Sequence, residues 1–287
     1  MKAWSLIGNS QKLDGGAMFG NAPKAMWRQW VAVDEQNRID LACRALLVEG
    51  LNGKRVLFET GVGAFFEPKL RERFGIQESR HVLLDELAAI GYSDADIDVV
   101  VLSHLHFDHA GGLLEPWAEG QPPRLLFPNA IFVTGSEGWK RANAPHARDR
   151  ASFIPELNTL LKESGRLELV NGDHTPSLGE SVRFHHSDGH TPGLLLAEIL
   201  GDAERVVFCA DLIPGRAWVH LPITMGYDRN PELVVDGRKA FLDDMLQRGV
   251  TLVFIHDPRV AAASVQRDDK GKYSTTNEQA SWLAHSL

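Results

Sequence analysis

Cysteine is scarce in this chain: only Cys43 and Cys209, among 287 residues, carry a thiol. Both lie in apolar runs that are typical of strands, so we expect buried free thiols rather than a disulfide, in a reduced cytoplasmic setting. Long apolar runs are absent as well. No run approaches the roughly 18 residues that a membrane span requires. Residues 1–20 lack the sustained apolar stretch of a secretory signal, so we expect no membrane partner.

Positive charge is also in deficit, with 30 Lys and Arg against 38 Asp and Glu and a formal net charge of −8. A surface that binds nucleic acids broadly needs clustered positive charge, so the sequence predicts a small-molecule substrate and no nucleic-acid partner. Low-complexity tracts, long-period repeats and clear linkers are missing too. We therefore predict one globular domain over residues 1–287, with a monomer and a homodimer both left open.

Strands alternate with helices along the chain, which indicates an α/β fold. The dipeptide Asn-Gly at residues 52–53 predicts a tight hairpin turn. Asn-Pro at residues 230–231 predicts the start of a helix over residues 231–248, and Gly249 predicts its end. Apolar runs predict strands at residues 31–33, 41–49, 55–59, 125–127, 131–133, 167–170 and 182–186.

A dense group of metal-binding side chains occupies residues 104–109, which read His-Leu-His-Phe-Asp-His. The group follows residues 97–102, an apolar run that is typical of a buried strand. Imidazoles and a carboxylate at this density suit zinc, or iron and manganese, far better than calcium. Two glycines follow at residues 111–112 and allow the chain to reverse tightly. This pattern predicts a metal site at the end of a strand.

Three other segments deliver the same kinds of side chain. The apolar runs 205–210 and 251–255 lead into Asp211 and His256, and His190 lies in a loop bounded by glycine and proline. Open α/β sheets build their sites at the carboxyl ends of strands. We therefore predict that these three side chains converge with the group at residues 104–109.

These motifs together resemble the signature of the metallo-β-lactamase-fold hydrolase superfamily. The matching segments are residues 104–112, 189–193, 210–211 and 255–257. Glu59-Thr60-Gly61 is similar to the earlier Asp-Thr-Gly turn of the superfamily, with Glu in place of Asp. The resemblance covers roughly residues 40–260. It implies a four-layer αβ/βα sandwich, in which two mixed sheets pack face to face and helices cover the outer faces.

The resemblance also implies a pair of divalent metal ions, with Zn²⁺ the expected metal and Fe or Mn as alternatives. A bridging hydroxide would attack an ester, lactone or organophosphate bond, and Asp108 and Asp211 would be the catalytic carboxylates. Glu59 would hold a ligand imidazole from behind. The implied ligands are His104, His106 and His190 for the first metal, Asp108, His109 and His256 for the second, and Asp211 as the bridge.

The segment from Asp211 to His256 is similar to the branch that holds lactonases and methyl-parathion-type hydrolases. This similarity implies that residues 1–40 form an extension over the site. Pro214 stands where the acyl-homoserine lactonases carry a tyrosine, which counts against that particular activity. The expected substrate contacts are Phe19, Trp27, Arg216 and Tyr227.

Other activities of the same fold stay open at this stage. A phosphodiesterase or nuclease would need a basic surface, which the acidic balance disfavours. A thioesterase of the glyoxalase II kind would need a basic C-terminal site, yet residues 257–287 supply only four Lys and Arg. An iron-dependent persulfide dioxygenase and a binding module without enzymatic activity are the remaining alternatives.

Overall fold

The structure, a computed structural model, describes residues 1–287 as thirteen strands and eight α-helices. The strands are β1 (Lys2–Asp14), β2 (Arg38–Leu51), β3 (Lys54–Phe58), β4 (Val99–Val101), β5 (Ile131–Gly135), β6 (Leu167–Val170), β7 (Val182–Ser187), β8 (Leu194–Leu200), β9 (Arg205–Phe208), β10 (Thr251–Val253), β11 (Ala262–Arg267), β12 (Tyr273–Gln279) and β13 (His285–Ser286). The helices are α1 (Gly15–Phe19), α2 (Lys24–Trp27), α3 (Pro68–Arg73), α4 (Val82–Ala89), α5 (Phe107–Ala110), α6 (Ser136–Asn143), α7 (Pro155–Glu163) and α8 (Pro231–Arg248). Single 3₁₀ turns lie at Asp94–Asp96, Gly111–Leu113, Arg150–Ser152, Gly179–Ser181, Ala210–Leu212 and Arg216–Val219.

The strands form two mixed sheets, as predicted. The seven-stranded sheet has the order β13-β1-β2-β3-β4-β5-β6, and the six-stranded sheet has the order β12-β11-β10-β9-β8-β7. In the first sheet β3, β4, β5 and β6 run parallel, and in the second β9 and β10 run parallel. The fold class expected from the sequence, the metallo-β-lactamase sandwich, is confirmed.

Successive strand residues point to opposite faces of a sheet, and in the first sheet both faces are apolar. Val99 and Val101 belong to the core shared with the second sheet, whereas Val100 packs with α4 and α7 on the other face. Across the sandwich, Phe58 and Val101 border the same small cavity as Leu195. Helix α8 covers the outer face of the second sheet with Phe241, Leu242 and Met245.

Local signals in the sequence located several elements correctly. Asn52 and Gly53 both have positive φ, 53° and 76°, and join β2 to β3 as the predicted hairpin. Helix α8 spans the predicted residues and ends at Gly249, whose φ of 63° is left-handed. Asn230 precedes the helix as expected, but its amide donates to the Asp188 carbonyl instead of capping the helix. Both cysteines are buried and free, as predicted.

Two predicted strands are wrong, and the predicted extension is shorter than expected. Residues 31–33 form no strand, and residues 125–127 contribute a single bridge, between Leu114 and Leu125. β1 pairs with β2 along its length, so residues 2–14 belong to the first sheet rather than to a cover over the site. Within the predicted extension, residues 1–40, the segment 15–37 lies outside that sheet. A short apolar pattern carries no information on whether a partner strand is in reach.

The division into domains stays a prediction of one domain over residues 1–287, for which the core shared by the two sheets is the reason. The predicted cytoplasmic setting and the choice between monomer and homodimer also stay predictions. None of the helices has the length and apolar character needed to cross a membrane.

Gly237 lies on the exposed side of α8, where an added Cβ would meet nothing within 4 Å. Alanine at this position should stabilise the folded state by about 0.5–1 kcal/mol, because glycine loses more conformational freedom in a helix. Thermal and urea unfolding of Gly237→Ala would measure the gain. Gly249→Ala, in which the new side chain must adopt a left-handed conformation, should lower the unfolding free energy. A loss of stability in Gly237→Ala would contradict this account of α8.

Candidate metal centre

The candidate ligands lie at the carboxyl ends of strands from both sheets. The group at residues 104–109 follows β4, Asp211 follows β9 and His256 follows β10. β9 and β10 are parallel neighbours, so their ends meet at one edge of the second sheet. His190 enters from the turn between β7 and β8. The predicted convergence of these segments is therefore present in the fold.

The Asp211 carboxylate lies at the centre of the group. Its Oδ2 is 3.1 Å from His190 Nε2 and 3.3 Å from His109 Nε2. Its other oxygen, Oδ1, is 3.2 Å from His256 Nε2. One carboxylate thus faces imidazoles from three separate segments, which is the position that the sequence assigned to a bridge.

The remaining side chains divide into two sets around this carboxylate. In each set the ligand atoms lie within 4.8 Å of one another, and all the imidazoles are buried. Asp108 is half-buried, with 16% of its side chain exposed, and is the carboxylate on the solvent side of the group. The sets are His104, His106 and His190 on one side, and Asp108, His109 and His256 on the other.

The donor atoms fit divalent cations. His104 Nε2, His109 Nε2 and Asp211 Oδ1 are buried without a hydrogen-bond partner. Buried polar atoms without partners are rare because desolvation costs free energy. Imidazole nitrogen and carboxylate oxygen suit zinc, iron and manganese. The seven side chains therefore fit a pair of metal ions, and their role as ligands stays a prediction.

Burial and mutual proximity determine the protonation of the imidazoles. Burial lowers the pKa of His104 and His106 well below the ordinary value, and the neighbouring imidazoles lower it further. Burial also opposes charge on His109, but the nearby carboxylates of Asp211, Asp108 and Glu59 raise its pKa well above the ordinary value. Neutral imidazole is the form that binds metal, so His104 and His106 are already in that form at neutral pH.

Groups behind the imidazoles fix their orientation. His256 Nδ1 donates to the Ala42 carbonyl at 2.7 Å, and Ser103 Oγ shares a hydrogen bond of 2.9 Å with His104 Nδ1. Glu59 accepts from the Ser103 amide and lies 3.3 Å from His109 Nδ1. This is the place that the resemblance assigned to Glu59. Such contacts leave the opposite ring nitrogen free for a metal.

Asp228 contacts the candidate metal centre and was not predicted from the sequence. Its Oδ1 lies 3.0 Å from His190 Nδ1, and its Oδ2 accepts from the Met225 amide at 2.7 Å. The side chain is fully buried. Asp228 stands 38 positions after His190, outside every motif, so no spacing in the sequence links the two.

Two non-glycine residues beside the site have positive φ: Glu59 at 64° and Ala210 at 43°. Such conformations cost free energy and persist where the surrounding structure enforces them. Gly112 meets a related constraint, because a Cβ there would lie 2.1 Å from the Thr60 carbonyl oxygen. The turns that carry Glu59 and the histidine cluster therefore pack backbone against backbone.

A pocket of about 250 Å³ opens beside Asp108 and Asp211. Tyr227 lines it and is 42% exposed. Burial and the charge of Asp108 raise the pKa of Tyr227, so its hydroxyl keeps its proton at neutral pH. The apolar wall consists of Leu13, Met18, Leu41, Phe74, Phe107 and Met225.

Three of the four expected substrate contacts lie away from this pocket. Phe19 and Trp27 are buried, and Phe19 stacks between Trp27 and Trp218 at centroid distances of 5.4 and 4.6 Å. Their burial replaces the expected substrate contact with a packing role. Arg216 pairs with Asp257 at 3.2 Å and lines a different cavity. Tyr227 alone of the four borders the pocket beside Asp108.

The two-sheet fold and the grouped imidazoles and carboxylates agree with the family that the sequence comparison gives. The chain belongs to the metallo-beta-lactamase superfamily, whose family model matches residues 38–256. A protein described as a probable metallo-hydrolase of Mycobacterium tuberculosis is 32% identical over 243 residues, which cover 77% of this chain and 73% of that protein. An N-acyl homoserine lactonase from a Bacillus species is 26% identical over 167 residues, 54% of this chain and 57% of that protein.

Solved structures share the fold. A probable metal-dependent hydrolase from Staphylococcus aureus superposes with a TM-score of 0.84 at 26% identity, covering 99% of this chain and 97% of that one. AidC, a dizinc quorum-quenching lactonase, superposes with a TM-score of 0.75 at 23% identity, covering 96% and 94%. At that identity the likeness to AidC is one of fold.

Replacing Asp228 by Asn should weaken metal binding by about 10–100-fold, because an amide cannot accept from both His190 and the Met225 amide. Competition with a chelator would measure the affinity for Zn²⁺. Asp236→Asn, an exposed site in α8, removes the same charge and should leave the affinity unchanged. Equal affinity in Asp228→Asn and the parent protein would remove Asp228 from the metal centre.

Proposed function

We propose that this protein is a dinuclear metal-dependent hydrolase of small esters or lactones. The observation that carries the proposal is the convergence of five imidazoles and the Asp108 carboxylate around Asp211, beside a pocket with an apolar wall. The six apolar side chains of the wall suit a substrate with an apolar part, and Arg148 and Asp149, which also line the pocket, offset each other in charge.

The proposed ligands follow the two sets of side chains. His104, His106 and His190 would hold one ion, Asp108, His109 and His256 the other, and Asp211 both. Zinc suits this mixture of nitrogen and oxygen donors, and AidC is described as a dizinc enzyme. When bound, divalent ions supply Lewis acidity, which lowers the pKa of water from about 15.7 to about 7 and polarises a carbonyl or phosphoryl oxygen.

The protein's own groups have separate tasks in this proposal. Asp108 is the half-buried carboxylate that lines the pocket, 3.6 Å from His256 Nε2, and carries a proton towards the leaving group. The Tyr227 hydroxyl lines the same pocket and donates a hydrogen bond to a substrate oxygen. Met18 and Leu41 exclude water from the apolar part of the substrate.

Pocket size and lining favour a neutral ester or lactone. A volume of about 250 Å³ lies just below the range of pockets for drug-sized ligands, so the substrate is small. The N-acyl homoserine lactonases among the relatives support lactone hydrolysis. Pro214 stands three positions after Asp211, where we expect a tyrosine hydroxyl in those enzymes. This difference counts against acyl-homoserine lactones as the substrate.

Zinc-loaded protein should hydrolyse lactones, aryl esters and phosphotriesters, which are neutral, faster than phosphodiesters, because a phosphodiester would bring a negative charge to a pocket with an apolar wall. Initial rates on a panel of these four classes, with a thioester added, would test the order. A preference for phosphodiesters would favour a nuclease, and a preference for the thioester would favour the glyoxalase II alternative. Oxygen consumption with a persulfide and one iron per chain would favour the dioxygenase.

His104→Ala and Asp108→Ala should each reduce hydrolysis by roughly three orders of magnitude and lower the metal content from about two ions per chain, because each removes a ligand from one of the two sets. Metal analysis and rate assays on the same preparations would check both effects. His186→Ala is the matched control, since His186 is exposed on β7 and its side chain makes one hydrogen bond, with the Gly172 carbonyl. Parental activity in His104→Ala would overturn the mechanism.

A further inference from the structure

A second cavity, of about 310 Å³, lies on the other side of His256 from the pocket beside Asp108. Leu41 and His256 line both cavities, so one thin wall separates them. The second cavity is formed by the segment before β2, the 3₁₀ turn Arg216–Val219, the loop after β10 and the start of β12. Apart from His256, no residue with a role in the proposed metal chemistry lines this cavity.

Cationic side chains outnumber carboxylates in the lining of this second cavity. Arg259 and Lys272 are exposed, and no carboxylate lies within 4 Å of either cationic group. The two lining carboxylates are already paired: Asp257 with Arg216 at 3.2 Å, and Asp40 with Lys12 at 3.2 Å. An unpaired excess of cations around a concave site is unusual for a chain with a net charge of −8. It favours binding of an anion.

An aromatic wall stands beside these cations. Trp30 and Trp218 both line the cavity; Trp30 is 36% exposed, whereas Trp218 is buried. Trp218 is fixed, because its Nε1 donates to the Met18 carbonyl at 3.0 Å and its ring stacks on Phe19 at 4.6 Å. Trp30 packs in turn on Phe19, with ring centroids 5.8 Å apart, so a flat apolar group on a ligand meets a wall that is held in place.

We propose that this second cavity binds a small organic anion that carries a flat apolar group. The anionic end pairs with Arg259 and Lys272, and the flat part lies against Trp30. Neither cation lines the pocket beside Asp108, so the site differs from the proposed catalytic pocket. The inference is independent of the proposed hydrolase function, because it concerns equilibrium binding only.

Binding of 2-naphthalenesulfonate to metal-loaded protein, measured by titration calorimetry, tests the proposal. A sulfonate is a weak metal ligand and is not hydrolysed, so the catalytic pocket contributes little to the signal. Lys272→Ala should weaken binding by about two- to fivefold, as expected for one partly solvated ion pair. Arg259→Ala with Lys272→Ala should weaken it further, and added salt should weaken binding to the parent.

Matched controls separate a built site from general electrostatic attraction. Lys270→Ala removes the same charge two residues from Lys272 but outside the cavity, and Lys270→Ala with Arg205→Ala matches the double variant. Both should bind the probe as the parent does. The neutral analogue 2-naphthyl methyl sulfone should bind more weakly than the sulfonate. Equal binding of the two probes, an equal effect of the control variants, or no binding to the parent would each overturn the proposal.

Discussion

Seven polar side chains are held together in a region that water barely reaches, and this constraint shapes the rest of the structure. Imidazoles and carboxylates at separations of 3.1–3.3 Å, several without a hydrogen-bond partner, form an unfavourable cluster by themselves. Desolvating such groups without full pairing costs free energy. The surrounding fold must therefore supply rigidity, and strand ends supply it, since β4, β9 and β10 are buried on both faces. The positive φ of Glu59 and Ala210 fits the same requirement, because both adjoin residues that must point inward.

Two buried arginines support the loops that carry the ligands. Arg44 donates to the carbonyls of Phe254 and Asp257 at 2.6 and 3.0 Å, on either side of His256. Arg238 of α8 donates to the Leu212 carbonyl at 2.9 Å, next to Asp211. Burial lowers the pKa of both guanidinium groups to about 10, so they remain charged at neutral pH. A guanidinium presents several donors in a fixed plane, so one side chain can bind carbonyls on both sides of a turn.

Sequence patterns predicted the features that depend on nearby residues. The cluster at residues 104–109, the hairpin at Asn52-Gly53 and the span of α8 all follow from short-range rules and agree with the structure. Features that depend on distant partners were missed or misplaced. Asp228 reaches His190 only through the loop before α8, and β1 joins the first sheet only because β2 offers a long antiparallel edge. The apolar run at residues 125–127 has no such edge beside it, so it forms no strand.

The same distinction explains why the grouping of the candidate ligands was predictable and the residues around the pocket were not. The candidate ligands lie at or just after strand ends, whereas the pocket wall draws its residues from strands, short helices and loops that are distant in the sequence. Phe19 and Trp27 illustrate this, because Phe19 stacks between Trp27 and Trp218 and both Phe19 and Trp27 are buried, whereas Trp30 is 36% exposed. The two sides of His256 differ as well: apolar side chains line the pocket next to Asp108, whereas Trp30 and the cations Arg259 and Lys272 line the second cavity. Of residues 15–37, only Met18 lines the pocket beside Asp108, so the wall of that pocket depends mainly on how distant segments of the chain pack together.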